Sequence, residues 1–265
     1  MKRDNEGDKT IYVTITPLKA IIEELTCGDF TVEVIVTDGA SPETYEPTPK
    51  QLAKINESRL IFSTGLIGFE QSIVEKIENK SKVIDLSDGI SLIEGSCSHG
   101  HHHSHGVDPH IWTSPKSLRI MVENARDILI REFPDRKEYA EAADRMLQRI
   151  DALDKECQQQ IEQSGAKAIM IYHPAYTYYA RDYGIEQIAI EHDGKEPTPK
   201  QLKALCNKGE RLGIDVIFHQ PQYSADKVRS IADEIGARVV ETDPLSADIF
   251  AEIERVTEII CKGNV

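Results

Sequence analysis

The chain has 265 residues, 40% hydrophobic and 29% charged, with a formal net charge of −14. That length exceeds one compact core and suits two lobes of roughly 100–130 residues. The acidity argues against a nucleic-acid partner, which calls for a basic footprint, and no apolar run reaches the ~20 residues that span a bilayer.

Met1 to Asp8 is polar and holds no apolar leader segment, so the expectation is either a cytoplasmic protein or one whose signal was removed ahead of the numbering. Short apolar or alternating runs then predict four strands, Thr10–Thr16, Thr31–Thr37, Arg59–Ser63 and Lys82–Leu86. Glu43 lies in Ser41-Pro42-Glu43-Thr44-Tyr45-Glu46-Pro47, just past the second of these, and by itself reads as a solvated loop acid. The heptapeptide Glu-Pro-Thr-Pro-Lys-Gln-Leu occurs twice, at Glu46–Leu52 and Glu196–Leu202. Each copy is a helix start, with Thr as N-cap, Pro at the first helical position and Gln closing a capping box. Two predicted strands precede each copy, which points to two lobes of similar plan; convergence on good capping chemistry is the plainer explanation.

Cys97 to His110 reads Cys-Ser-His-Gly-His-His-His-Ser-His-Gly-Val-Asp-Pro-His and holds six of the nine histidines. Imidazole is the commonest metal-ligating side chain and is largely neutral near pH 7. His99, His101, His102, His103 and His105, spaced by Gly and Ser, suit weak collection of zinc and cannot impose one rigid geometry. The alternative is a solvated loop without a role. The metallo-hydrolase pattern H-x-H-x-D-H fails here, because Asp108 comes one residue late and Pro109 separates it from His110. H-E-x-x-H, the Walker A loop and G-x-S-x-G are also absent.

Pro134 to Gly165 places Tyr139, Ala142, Ala143, Met146, Leu147, Ile150, Leu153 and Ile161 at spacings of mostly three and four. This predicts one long amphipathic helix beginning near Pro134 and ending before Gly165. At roughly 1.5 Å per residue it would run about 40 Å, a stiff spacer between lobes. Four further strands are predicted at Lys167–Tyr172, Ile185–Ile190, Ile214–Phe218 and Ala237–Glu241. Strands alternating with helices imply parallel sheets. His173 ends the first of these strands, where open α/β sheets place ligands; a satisfied core histidine is the equal alternative. His219 follows the third strand as a second-tier ligand candidate, His192 reads as structural or surface, and Asp243 follows the last strand as ligand or as turn and helix cap. Cys27, Cys97, Cys157, Cys206 and Cys261 show no CxxC spacing; Cys206 and Cys261 could pair in an oxidising compartment.

With Asp108-Pro109-His110-Ile111-Trp112 as its strongest piece, the chain resembles the metal-specific solute-binding proteins of ABC transporters for zinc, manganese and iron. Pro42 to Pro47, Val83 to Ile90, Tyr172-His173-Pro174-Ala175-Tyr176 with Tyr183-Gly184, and Thr242-Asp243-Pro244-Leu245 carry the rest, from about Thr10 to Cys261. The resemblance implies α/β architecture: an N-terminal lobe at 9–133, a linking backbone helix at 134–165 and a C-terminal lobe at 166–265, each lobe a parallel-sheet βα domain. It also implies a metal held in the cleft by two ligands from each lobe. His110 and His173 match ligand positions, and Asp243 matches the carboxylate ligand. The chain departs from the family at Glu43, where Pro-His-x-Tyr-Glu-Pro is usual. Glu43 then ligates through oxygen, or a His of the 99–105 run or a water takes its place. It departs again at His219-Gln220-Pro221, where Glu often precedes the Pro.

The expected function is capture of zinc, with manganese as alternative, and delivery to a membrane permease by a monomer. It would act in the periplasm or anchored on the outer membrane face, and not as an enzyme. A metal-dependent hydrolase with Glu43 as general base, and an adhesin-like metal-buffering surface protein, are the other readings.

Overall fold

A computed structural model describes residues 9–37, 39–94, 106–191, 195, 197–224 and 226–262. His99, His101, His102, His103, His105, His192 and Cys97 lie outside the described residues. The chain divides into two compact units. One is Met1–Ile90, Ser117–Ile150 and Leu245–Asp248; the other is Ser91–Lys116, Asp151–Pro244 and Ile249–Val265.

In the first unit the strands β1 (Thr10–Val13), β2 (Thr31–Val34), β3 (Leu60–Ser63) and β4 (Val83–Asp85) form a parallel sheet in the order β2-β1-β3-β4. The interior strand β3 is buried at every residue, as a sheet covered on both faces requires. Helix α1 (Thr16–Leu25) packs on this sheet through Leu18, Ile21, Ile22 and Leu25. Helix α2 (Pro49–Glu57) opens with the predicted Thr48–Gln51 capping box. Helix α3 (Gly68–Lys76) is started by the buried Glu70, whose carboxylate accepts from the Thr64 and Ile67 N–H groups and the Thr64 hydroxyl. Burial raises the Glu70 pKa, and these hydrogen bonds oppose the rise.

The second unit repeats the plan. Strands β5 (Ala168–Ile171), β6 (Glu186–Ala189), β7 (Val216–His219) and β8 (Arg238–Glu241) form a parallel sheet in the order β6-β5-β7-β8. Helices α6 (Thr177–Tyr183), α7 (Pro199–Leu212), α8 (Asp226–Ile235) and α9 (Ile249–Lys262) accompany it. Helix α7 opens with the second capping box, at Thr198 and Gln201. Both heptapeptide copies therefore start the crossover that reverses the strand order, α2 from β2 to β3 and α7 from β6 to β7. One face of the second sheet closes on a core of Met170, Tyr172, Ile188, Ile190, Ile217 and Val228.

Between the two sets of strands run α4 (Pro115–Glu132) and α5 (Lys137–Ser164). The long helix is thus present, and Gly165 ends it at φ +67°, its N–H bonded to Ile161 O. Its start differs from expectation. Pro134 belongs to the turn after α4, where Arg136 N–H bonds Phe133 O at 2.9 Å, because proline brings no N–H and the turn uses its fixed φ. The unit boundary falls inside α5, between Ile150 and Asp151. Cys206 and Cys261 do not pair; both are free, Cys206 buried in α7 and Cys261 partly exposed in α9. Among the described residues no helix is long and apolar enough to cross a membrane.

Candidate metal centre

Doubly wound sheets offer a ligand crevice beyond the carboxyl ends of the strands, where the strand order reverses. In the second unit that point lies between β5 and β7. His173 follows β5 and Gln220 follows β7. Gln220 clamps the His173 main chain from both sides: its Oε1 accepts the His173 N–H at 3.2 Å and its Nε2 donates to His173 O at 2.7 Å. The Tyr223 ring lies over the imidazole, with centroids 5.3 Å apart at 22°.

His110 opens a 3-10 turn, Ile111–Thr113, and is buried beside Trp112, with ring centroids 5.2 Å apart. The Trp112 indole N–H donates to Pro244 O at 2.7 Å, and the Thr113 hydroxyl bonds Ala175 O at 2.8 Å. These bonds place His110 against His173, 63 residues away in sequence, with their Nε2 atoms 3.3 Å apart.

The other ring nitrogens decide what those Nε2 atoms can do. His110 Nδ1 lies 3.0 Å from Asp108 Oδ1, and His173 Nδ1 lies 2.7 Å from Glu191 Oε1. Burial raises the Asp108 pKa, but its close contact and hydrogen bonds with His110 and a hydrogen bond from Thr177 outweigh it and hold this carboxyl below its ordinary value. Where a carboxylate accepts from Nδ1, that nitrogen carries the proton and the Nε2 of a neutral ring presents a lone pair. Two lone pairs facing across 3.3 Å repel unless a proton or a metal cation lies between them. Tetrahedral zinc with Zn–N bonds of about 2.0–2.1 Å sets its two nitrogens about 3.3 Å apart, so the pair fits a metal edge. Carboxylates behind ligating imidazoles are also the common way to fix the tautomer and raise ligand basicity.

Asp243 lies just beyond β8, half-buried, and its N–H donates to Glu252 Oε1 at 2.9 Å. Glu43 sits in the first unit, in the 3-10 turn Pro42–Thr44, partly buried. His219 ends β7, buried, with no hydrogen-bond partner for its Nδ1 among the described residues. Sequence reasoning gave no role to Asp108, although it stands in the quoted motif, noted Gln220 only as a departure from the family, and passed over Glu191 and Glu252. Glu191 carried a usable signal, since it follows a predicted strand end as His173 does. Glu252 carried none, being one acid among several on an amphipathic helix.

The family model described as ZnuA, zinc-uptake complex component A periplasmic, matches residues 11–253. The zinc-binding lipoprotein AdcA of Streptococcus pneumoniae serotype 4 is 26% identical over 259 residues, covering 93% of this chain and 52% of that protein. The chain therefore spans about half the length of that relative. The high-affinity zinc uptake system protein ZnuA of Bacillus subtilis is 28% identical over 249 residues, covering 89% of this chain and 78% of the relative. A crystal structure of ZnuA superposes with a TM-score of 0.87 at 31% identity, covering 97% of this chain and 100% of the other.

Proposed function

Because the chain belongs to the zinc-uptake complex component A family, we propose that it is the extracytoplasmic metal-binding component of an ABC transporter, capturing zinc and handing it to a membrane permease. The observation that carries this reading is the pair of buried imidazoles with facing Nε2 atoms, each backed by a carboxylate. His110 and His173 are the nitrogen ligands. Asp243 and Glu43 are carried over from the resemblance as oxygen ligands. Two nitrogens and carboxylate oxygens suit zinc, and the oxygen share leaves manganese as the competing ion. A shell closed by protein ligands favours binding over turnover, since a catalytic zinc keeps an open position. The protein acts as a monomer, in the periplasm or anchored on the outer face of the membrane. The histidines at 99, 101, 102, 103 and 105 form an accessory site that collects zinc weakly.

The test is elemental analysis of protein purified without chelator, followed by competitive titration with zinc and manganese. The expected result is one tightly held ion per chain, zinc preferred, lost in His110→Ala and in His173→Ala. Deleting residues 98–105 is expected to remove weak additional zinc and to leave the tight site. Failure of both ions to bind better than about micromolar, ~8 kcal/mol, would rule out uptake as the function.

A further inference from the structure

Glu252 is a carboxylate with only 8% of its surface exposed, in the first turn of α9. First-turn acids commonly favour their own helix N-terminus from the solvent side. This one accepts hydrogen bonds from outside its own first turn. Its Oε1 takes the Thr242 hydroxyl at 2.7 Å and the Asp243 N–H at 2.9 Å. Arg255, one turn on, grips both oxygens at 2.7 and 2.9 Å and donates again to Glu241 O at 2.8 Å. Three successive residues past the middle of β8 are thereby bonded to one ion pair.

The network continues. The Thr242 hydroxyl has a single proton and gives it to Glu252, so the Tyr176 hydroxyl, 2.7 Å away, donates to Thr242. Tyr176 stands three residues after His173. The next carbonyl after Asp243, that of Pro244, accepts the Trp112 indole N–H from the His110 segment. Hydrogen bonds thus tie the segments bearing His110, His173 and Asp243 to one another at the end of β8 within the second unit, with Glu252 as the only carboxylate among these bonds. An ordinary i, i+3 surface ion pair would be worth little and would stay in solvent.

We propose that Glu252, held by Arg255, is a positioning residue for metal binding: it fixes the main chain from which the Asp243 carboxylate reaches the metal. This rests on the ligand role of Asp243 given above. Removing the acceptor frees Thr242 and Asp243 and loosens the carboxylate, while both imidazoles remain in place. A purely structural role would lower stability without changing the metal's surroundings.

The experiment compares wild type with Glu252→Ala, Glu252→Gln and Arg255→Met, and with Ile260→Ala as a destabilised control on the same helix. Zinc affinity by chelator competition, the visible spectrum of the cobalt(II)-loaded protein and the melting temperature of the metal-free protein are measured on each. Glu252→Ala is expected to weaken zinc roughly 10–100-fold and to alter the cobalt bands. Glu252→Gln keeps an acceptor oxygen and is expected to recover most of the affinity. Ile260→Ala is expected to melt earlier with zinc affinity and cobalt bands unchanged. If Glu252→Ala does not fold, Arg255→Met carries the same test with a severalfold loss. Unchanged affinity and cobalt bands in the Glu252 and Arg255 variants, with wild type binding zinc, overturn the positioning role alone. Equal weakening in Ile260→Ala also overturns it. A wild type that binds no metal overturns the proposed function together with it.

Discussion

At His173 the imidazole is fixed by its neighbours. Gln220 holds its main chain, Tyr223 covers its face, and Glu191 Oε1 lies 2.7 Å from its Nδ1. Glu191 is the residue on which the ring's direction depends. Glu191→Ala is expected to weaken zinc binding roughly 10–100-fold, and Glu191→Gln, which retains an acceptor oxygen, to lose less. Calorimetric titration checks both; an alanine variant with wild-type affinity would remove Glu191 from the site. In the sequence His110 was recognisable from its motif and His173 from its place at a strand end. Their carboxylate partners were harder to see. Asp108 is two residues from its partner and Glu191 is 18, a distance that only the adjacency of β5 and β6 closes.

At the scale of elements the local chemistry was largely readable. All eight predicted strands form, each shorter than its apolar run or shifted by a residue or two at its ends. The trimming comes from pairing: the run from Thr10 continues to Thr16, but the chain turns into α1 at Thr16 with Pro17 in its first turn, so the named strand stops at Val13. The two heptapeptides act as the same cap in two places, and they allow a paired test. Thr48→Ala and Thr198→Ala are each expected to cost about 1 kcal/mol, read by urea unfolding, with serine restoring most of it. The glutamines should differ. Gln51 also donates to the Tyr45 hydroxyl at 2.6 Å, beyond its bond with Thr48, while Gln201 serves Thr198. Gln51→Ala is therefore expected to destabilise more than Gln201→Ala, and equal losses would show the Tyr45 bond to be idle.

For the whole molecule, binding metal in the folded state only must raise stability by mass action. Free zinc at a hundred times the dissociation constant is expected to add about 2.7 kcal/mol. The melting temperature should therefore climb with free zinc and fall back on adding chelator; a melting point indifferent to zinc would contradict tight binding to the folded chain. The α/β class, the parallel sheets, the long helix and the paired crossover starts were all determined by sequence alone. They depend on periodicity, capping and proline, which act over a few residues. The tertiary structure decided which distant groups meet: Ser91–Lys116 folds with Asp151–Pro244 in one unit, bringing His110 to His173 and both to their carboxylates. Hydrogen bonds such as Trp112 to Pro244 and Thr113 to Ala175 close loops of 132 and 62 residues. No local pattern encodes such closures, because each joins segments far apart in sequence that meet only once the unit has folded.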